Sequence, residues 1–106
     1  MMSLFEAIED KDGTVFPLAG ILPGKAVMQS HLAALGTQFA ELPEGRLSGH
    51  TFHHSRSETP LPVLALAKTA NGGAGEVIYR FLRSTVSYMH FYFPSNPAAT
   101  AGLFLN

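Results

Sequence analysis

The 106-residue sequence contains no cysteine and no tryptophan, and charged residues make up only 14% of it. Without cysteine there are no disulfides, which predicts a cytoplasmic location, and no side chain here can act as a thiolate nucleophile. The charged fraction lies well below the roughly 25% of an average soluble domain. A surface so poor in charge predicts that part of it contacts further polypeptide or a second subunit. An ordinary surface with few charges is the alternative.

Basic clusters and long apolar runs are also missing. The sequence contains seven Lys and Arg residues and eight Asp and Glu residues, which gives a net charge of −1. The basic residues are scattered between Lys11 and Arg83. This pattern excludes the clustered basic face that nucleic-acid binding needs. No run approaches the about 18 apolar residues of a membrane helix, and Glu6 and Glu9 interrupt any signal peptide. The length predicts one domain over residues 1–106.

The order of elements predicts an α/β fold, with strands between two helices. Leu4, Phe5 and Ile8 have helical spacing and predict a helix over 2–10, although no N-cap residue precedes it, as if its preceding turn lay outside the chain. Asn96 followed by Pro97 is typical of a helix start and predicts a helix over 98–105. Strands are predicted over 26–28, 47–55, 63–67, 76–82 and 85–93.

Three of the five histidines lie between residues 49 and 56. His50 and His54 are four apart, which on a strand separates them by roughly 13 Å, too far to share a metal ion. No cysteine or carboxylate motif completes a ligand set, so no metal site is predicted there. The segment is either a polar strand end that faces a cleft or a set of hydrogen-bonded edge histidines.

His90 lies near the end of the apolar strand predicted over 85–93. A lone histidine in such a strand is commonly a buried core residue with its hydrogen bonds satisfied. The alternative is a general base at the carboxyl end of a sheet strand, where open α/β sheets place their active sites. Serines are present, but none lies in a Gly-x-Ser-x-Gly elbow that would supply a hydroxyl nucleophile.

Three segments carry a resemblance to a known family. They are Leu47-Ser48-Gly49-His50-Thr51-Phe52-His53-His54-Ser55-Arg56, then Ala26-Val27-Met28-Gln29 with Leu32-Ala33-Ala34-Leu35-Gly36, and Val86-Ser87-Tyr88-Met89-His90-Phe91-Tyr92-Phe93-Pro94-Ser95-Asn96-Pro97-Ala98-Ala99. Together they resemble the C-terminal stretch of cobyrinate a,c-diamide synthases, enzymes of cobalamin biosynthesis. The resemblance implies a partial flavodoxin-like sheet with flanking helices, of the class I glutamine amidotransferase type, which lacks its N-terminal strands.

The resemblance also implies roles for individual residues. His90 matches the family's catalytic histidine, which deprotonates a cysteine expected only a few residues before Met1, so the fragment alone is expected to be inactive. Tyr92 stands where many class I relatives carry a glutamate, so the third group is not identified. His53, His54, Ser55 and Arg56 are expected to bind substrate, facing either the ammonia route or the corrinoid carboxylates, which the bidentate fork of arginine suits.

Cofactors and partners follow from the same resemblance. The family's synthase domain binds ATP and magnesium, but its G-x-x-x-x-G-K-[ST] loop is missing here, so no cofactor is expected in this chain. The intact enzyme would use glutamine and cobyrinate, and exposed sheet edges would let the fragment form a homodimer. Two alternatives remain: a non-catalytic module that binds a corrinoid or a partner protein, and an independent metal-binding histidine domain.

Overall fold

A computed structural model describes residues 1–32 and 34–104, which form two compact units. Unit 1 comprises Met1–Leu35 and Phe52–Leu61, and unit 2 comprises Gly36–Thr51 and Pro62–Asn106. The strands are β1 Phe5–Glu9, β2 Val15–Pro17, β3 Leu22–Met28, β4 Ala34–Leu42, β5 Gly45–His53, β6 Ser55–Glu58, β7 Val63–Thr69, β8 Ala74–Phe81, β9 Ser84–Val86 and β10 His90–Phe91. Helix α1 spans Pro97–Phe104, and 3-10 turns span Met2–Leu4 and Phe93–Ser95. The single domain predicted over 1–106 stays a prediction.

Unit 1 contains a four-stranded sheet in the order β2-β1-β3-β6. β1 pairs with β3 in parallel, and the β1–β2 and β3–β6 pairs are antiparallel. Phe5, Leu22 and Ala26 are buried and supply its core. Asp10 ends β1, because its carboxylate accepts hydrogen bonds from the Asp12 and Thr14 amides and so forms the turn to β2.

The helix predicted over 2–10 is wrong, because β1 occupies most of that range. An isolated helix of nine residues is marginal in water, since few hydrogen bonds offset its nucleation cost. In the strand, by contrast, the backbone of β1 pairs on both sides, with β2 and with β3. Phe5 becomes fully buried in this arrangement. Tertiary pairing therefore overrides the local helical spacing.

Unit 2 contains a six-stranded sheet in the order β10-β5-β4-β7-β8-β9. Its core cluster consists of apolar side chains from the sheet, the β9–β10 connection and α1: Ala40, Leu42, Leu47, Ala67, Ile78, Met89 and Ala99. The predicted start of α1 is confirmed, since Asn96 Oδ1 accepts a hydrogen bond from the Ala99 amide at 3.1 Å and Pro97 is the first helical residue. The predicted last residue of this helix, Leu105, lies outside the described residues.

The predicted strands over 47–55, 63–67 and 76–82 are confirmed in position, as parts of β5 with β6, of β7 and of β8. The strand predicted over 85–93 is instead divided into β9 and β10. The broad α/β class holds, because the described residues combine these strands with α1. Among the same residues, the structure has no helix with the length and apolar character that a membrane span requires.

Candidate functional site

His90 lies on β10, a two-residue strand at the edge of the unit 2 sheet. β10 pairs antiparallel with β5, so that His90 faces His50 and Phe91 faces Gly49. The Tyr92 amide extends this pairing by donating to the Ser48 carbonyl at 2.7 Å. His50 and His90 therefore project from the same face of the sheet, because directly opposed residues of an antiparallel pair share a face.

The approach to β10 is set by a short polar turn after β9. The Ser87 hydroxyl donates to the Val77 carbonyl at 3.0 Å and accepts a hydrogen bond from the Met89 amide at 3.1 Å. Met89 is buried in the core cluster and holds the chain against the sheet. These contacts explain why the strand predicted over 85–93 is interrupted. The Ser87 hydroxyl bonds backbone groups that would otherwise pair with a neighbouring strand, and the backbone changes direction there.

Gly49 permits the close approach of β10 to β5. A Cβ atom added at Gly49 would overlap the carbonyl oxygen of His90. Beyond β10, the Asn96 side-chain amide donates to the Arg46 carbonyl at 2.9 Å, so the start of α1 is also tied to β5. β5 therefore pairs with the backbone of His90 and is also bonded to Asn96 at the start of α1.

The His90 side chain is exposed, and so is His50. Their face is opposite the core, because the alternate β5 residues Leu47 and Thr51 are buried. The buried core histidine considered from the sequence is therefore excluded. The two rings open into a shallow cavity of about 370 Å³, which is lined by Thr37, Ser48, Gly49, His50, His90, Phe91 and Tyr92.

A histidine base usually needs a third group that orients its ring. The carboxylates of unit 2 have other partners: Glu41 faces Arg46 at 3.6 Å and Glu44 faces Arg80 at 3.3 Å. Glu76 accepts a hydrogen bond from the Thr51 hydroxyl at 2.6 Å, on the core side of β5. Within the described part of unit 2, the structure thus assigns no carboxylate to His90, and Tyr92 at the expected position is exposed.

The four predicted substrate-binding residues belong to unit 1, at the bend between β5 and β6. His53 Nδ1 contacts the Ser55 carbonyl at 2.7 Å, which requires the tautomer that carries its proton on Nδ1. Ser55 is almost fully buried, and the His54 carbonyl accepts a hydrogen bond from the Gln29 amide at 2.8 Å. The bend is therefore built by its own polar groups, as the edge-histidine alternative also requires.

The side chains of Arg56 and His54 differ in how accessible they are to a ligand. The Arg56 guanidinium is paired with Glu58, which lies two residues further along β6. The His54 ring is exposed and meets Phe52 edge-to-face, with ring centroids 5.6 Å apart. Of these two side chains, His54 is the more open to a ligand, and Arg56 would have to exchange its internal partner for a substrate carboxylate. The substrate-binding roles of His53, His54, Ser55 and Arg56 stay predictions.

Lys25 adds a second cation beside Arg56 in unit 1. Lys25 Nζ donates to Glu9 at 2.9 Å and lies 3.9 Å from Glu58. The hydrogen bond to Glu9, followed by the charge of that carboxylate, raises the pKa of Lys25 above its ordinary value of 10.5. The charges here are arranged in alternating sign, so neither cation is left without a carboxylate.

The part of the chain that the structure describes contains no group of three or more histidines or carboxylates close enough to hold a metal ion. His50 was not among the predicted site residues. The sequence did place His50 on the strand predicted over 47–55, with His53 and His54, and His90 on the strand predicted over 85–93. It could not show that these strands are neighbours or that His50 faces His90.

Comparison with known proteins identifies relatives over nearly the whole chain, although no family model matches it. It is 49% identical over 104 residues to a hydrogenobyrinate a,c-diamide synthase of Pseudomonas aeruginosa and 48% identical over 104 residues to one of Stutzerimonas stutzeri. It is 41% identical over 105 residues to a cobyrinate a,c-diamide synthase of Herminiimonas arsenicoxydans. These matches cover 97–98% of this chain but 24% of each relative, so the chain spans about a quarter of their length.

Proposed function

Because this chain is homologous to one quarter of the hydrogenobyrinate and cobyrinate a,c-diamide synthases, we propose that it supplies the histidine half of a glutamine-hydrolysing site in such an enzyme. The observation that carries the proposal is His90, which projects from the sheet into an open cavity within a stretch homologous to these proteins. The class of substrate is the corrinoid precursor in the relatives' names, hydrogenobyrinate or cobyrinate.

In the proposed reaction, His90 accepts the proton of a cysteine thiol, and the thiolate attacks the side-chain amide of glutamine. The imidazolium then protonates the departing ammonia, and water hydrolyses the thioester with His90 as base. This chain contains no cysteine, so another segment must supply the thiol. Alone, the chain is therefore inactive in this reaction.

The ammonia would be used to amidate the a and c side chains of the corrinoid. ATP and magnesium, which would activate the substrate carboxylates, belong in this proposal to a synthase domain outside this chain. His53, His54, Ser55 and Arg56 would face the ammonia route or the substrate carboxylates, with Arg56 exchanging its pair with Glu58 for the bidentate contact. The reaction and the composition are consistent with a cytoplasmic location.

The chain would form the C-terminal part of a flavodoxin-like, class I amidotransferase-like domain whose first strands lie in another segment. The parallel β1–β3 pair supports that proposal, because flavodoxin-like sheets are mostly parallel, whereas the pairs β1–β2, β3–β6, β5–β10, β4–β7, β7–β8 and β8–β9 are antiparallel. Isolated, the chain would leave sheet edges uncovered: β2 is an edge strand with Val15 and Phe16 about half exposed. We expect it to form a homodimer, measured by size-exclusion chromatography with light scattering, and a monomer at high concentration would contradict this.

A chimera tests the catalytic proposal. The homologous 104-residue segment of the Pseudomonas aeruginosa synthase is replaced by this chain, and amidation of hydrogenobyrinate and of cobyrinate is measured with glutamine or with ammonium as nitrogen donor. His90→Ala should lower the glutamine-dependent rate by about 10²–10⁴-fold, the usual contribution of a positioned acid–base group. The ammonium-dependent rate should stay the same, because free ammonia needs no glutaminase.

The matched control is His31→Ala, which removes an exposed histidine of unit 1 and should change neither rate. A His90→Ala chimera that keeps its glutamine-dependent rate would overturn the proposal. Loss of both rates in that variant would also contradict it, because it would show that His90 supports the structure and not the release of ammonia.

A second candidate function follows from the missing cysteine: a non-catalytic module that binds a corrinoid or a partner protein. Calorimetric titration of the isolated chain with hydrogenobyrinate distinguishes the two. Submicromolar binding by the isolated chain, combined with an inactive chimera, would favour the binding module over the amidotransferase role.

A further inference from the structure

His50 and His90 form a pair with geometry suited to chelation. The Tyr92–Ser48 hydrogen bond and the alternation of the ladder make His50–His90 the wider type of pair, with Cα atoms about 5.5 Å apart. Two ring nitrogens bound tetrahedrally to one zinc ion at 2.0–2.1 Å lie about 3.3 Å from each other. The Cβ atoms of such a pair lie roughly 4.5–5.5 Å apart on one face of the sheet. Rotation of the two rings toward each other can therefore bring one nitrogen of each ring to the separation that a shared zinc ion requires.

Both rings are also available to a ligand. Within the described residues, the side chains of His50 and His90 make no hydrogen bond or ion pair, and both residues are exposed. His53 differs, since its Nδ1 is already bonded to the Ser55 carbonyl. Thr37, Ser48 and Tyr92 line the same cavity, and a hydroxyl group is able to accept a hydrogen bond from metal-bound water.

We propose that His50 and His90 together form a two-histidine site for a divalent transition-metal ion such as Zn²⁺, with water completing the coordination. Imidazole suits zinc, copper and nickel, whereas magnesium and calcium prefer oxygen ligands. The bound ion occupies the ring nitrogen of His90 and inhibits the glutamine reaction. This inhibitory consequence rests on the proposed function of His90, but the binding itself does not.

Calorimetric titration of the tag-free chain with zinc chloride tests the binding, at a slightly alkaline pH, because protons compete with metal ions for histidine ligands. We expect one zinc ion per chain, at least tenfold weaker binding in His50→Ala and in His90→Ala, and no further loss in the double variant. His31→Ala is the matched control and should bind as the original chain does. Binding that is equally weak in the control, or unchanged in either site variant, would overturn the proposal.

Copper provides a readout that does not depend on affinity. The electron paramagnetic resonance spectrum of the Cu²⁺-loaded chain should show superhyperfine coupling to two imidazole nitrogens. In either single variant, the coupling should come from one imidazole nitrogen. Melting temperatures without metal identify a variant that has failed to fold, and in that case His50→Asn and His90→Asn replace the alanines. Coupling to two nitrogens in a folded His50 variant would contradict the assigned ligands.

The consequence for activity is measured in the chimera. Zinc should inhibit the glutamine-dependent rate and spare the ammonium-dependent rate, and His50→Ala should raise the half-inhibitory zinc concentration at least tenfold. If zinc binds the pair but the glutamine-dependent rate is insensitive to it, the inhibitory role is wrong and the role of His90 is in question. If zinc does not bind, this inference alone fails, and the proposed function keeps its own test.

Discussion

Units 1 and 2 both pair charged side chains, but only in unit 2 do two exposed histidines face each other across paired strands. In unit 1, cations and carboxylates alternate on neighbouring strands: Lys25 contacts Glu9 and Glu58, and Arg56 is paired with Glu58. In unit 2, carboxylates also find partners, but the imidazoles of His50 and His90 are left exposed above an open cavity. Charged side chains that are paired within their own unit contribute to structure, whereas the exposed imidazoles of His50 and His90 are available to a ligand.

The largest effect on stability is expected when the same substitution, Leu→Ala, is made in the core of each unit. Leu22 in unit 1 is 2% exposed and Leu47 in unit 2 is 0% exposed, so Leu→Ala removes an equally buried side chain from each. Each should lower the free energy of unfolding by about 2–5 kcal/mol, measured by urea denaturation. Hydrogen exchange should lose protection mainly in the unit that carries the change, and equal loss in both units would contradict their description as separate compact units.

An intermediate effect on stability is expected at Gly49, where β5 and β10 lie close together next to the histidine pair. Gly49→Ala places a Cβ atom against the His90 carbonyl, so β10 must shift from β5, at a cost of about 1–3 kcal/mol typical of overpacking. Urea denaturation measures this cost, and the ring signals of His50 and His90 in NMR spectra should shift. Gly73→Ala is the control, since its Cβ would meet only side-chain atoms, the Thr69 hydroxyl at 3.1 Å and the Asn71 amide oxygen at 3.7 Å. Equal costs would contradict the tight β5–β10 contact.

The smallest effect concerns the charges of unit 1. Because the folded-state pKa of Lys25 is raised, its contribution is fully present below the ordinary value of 10.5 and is lost as pH rises through the folded-state pKa. Lys25→Met should therefore lower stability slightly at neutral pH, and the difference from the original chain should shrink above pH 10.5. Lys68→Met, at an exposed position on β7, is the control. A difference that grows with pH would have the wrong sign.

The elements that local chemistry specifies were predictable from the sequence. Asn96 and Pro97 mark the start of α1 because an amide oxygen and a fixed φ are what a helix N-terminus needs. β7 and β8 follow from β-branched and aromatic residues flanking the turn at 71–73. The helix expected over 2–10 failed, because the parallel pairing of β1 with β3 joins residues that are far apart in sequence.

The candidate site was predictable only in part. His90 was identified by its motif and His53, His54, Ser55 and Arg56 by their segment, but the structure engages Arg56 with Glu58 and leaves His50 open instead. Which side chains form hydrogen bonds or ion pairs with each other depends on which strands are neighbours and on their register. The sequence of a single strand reveals neither the neighbours nor the register.

The sequence by itself determined what this chain lacks, a cysteine nucleophile above all, as well as its capped helix and the motif around His90. Only the tertiary structure decided that β10 pairs with β5, that His50 faces His90, and that both rings point away from the core. The physical reason is that side chains alternate between the faces of a strand. A slip of one residue in the register would place His90 opposite a different residue and turn the side chains of β10 toward the other face.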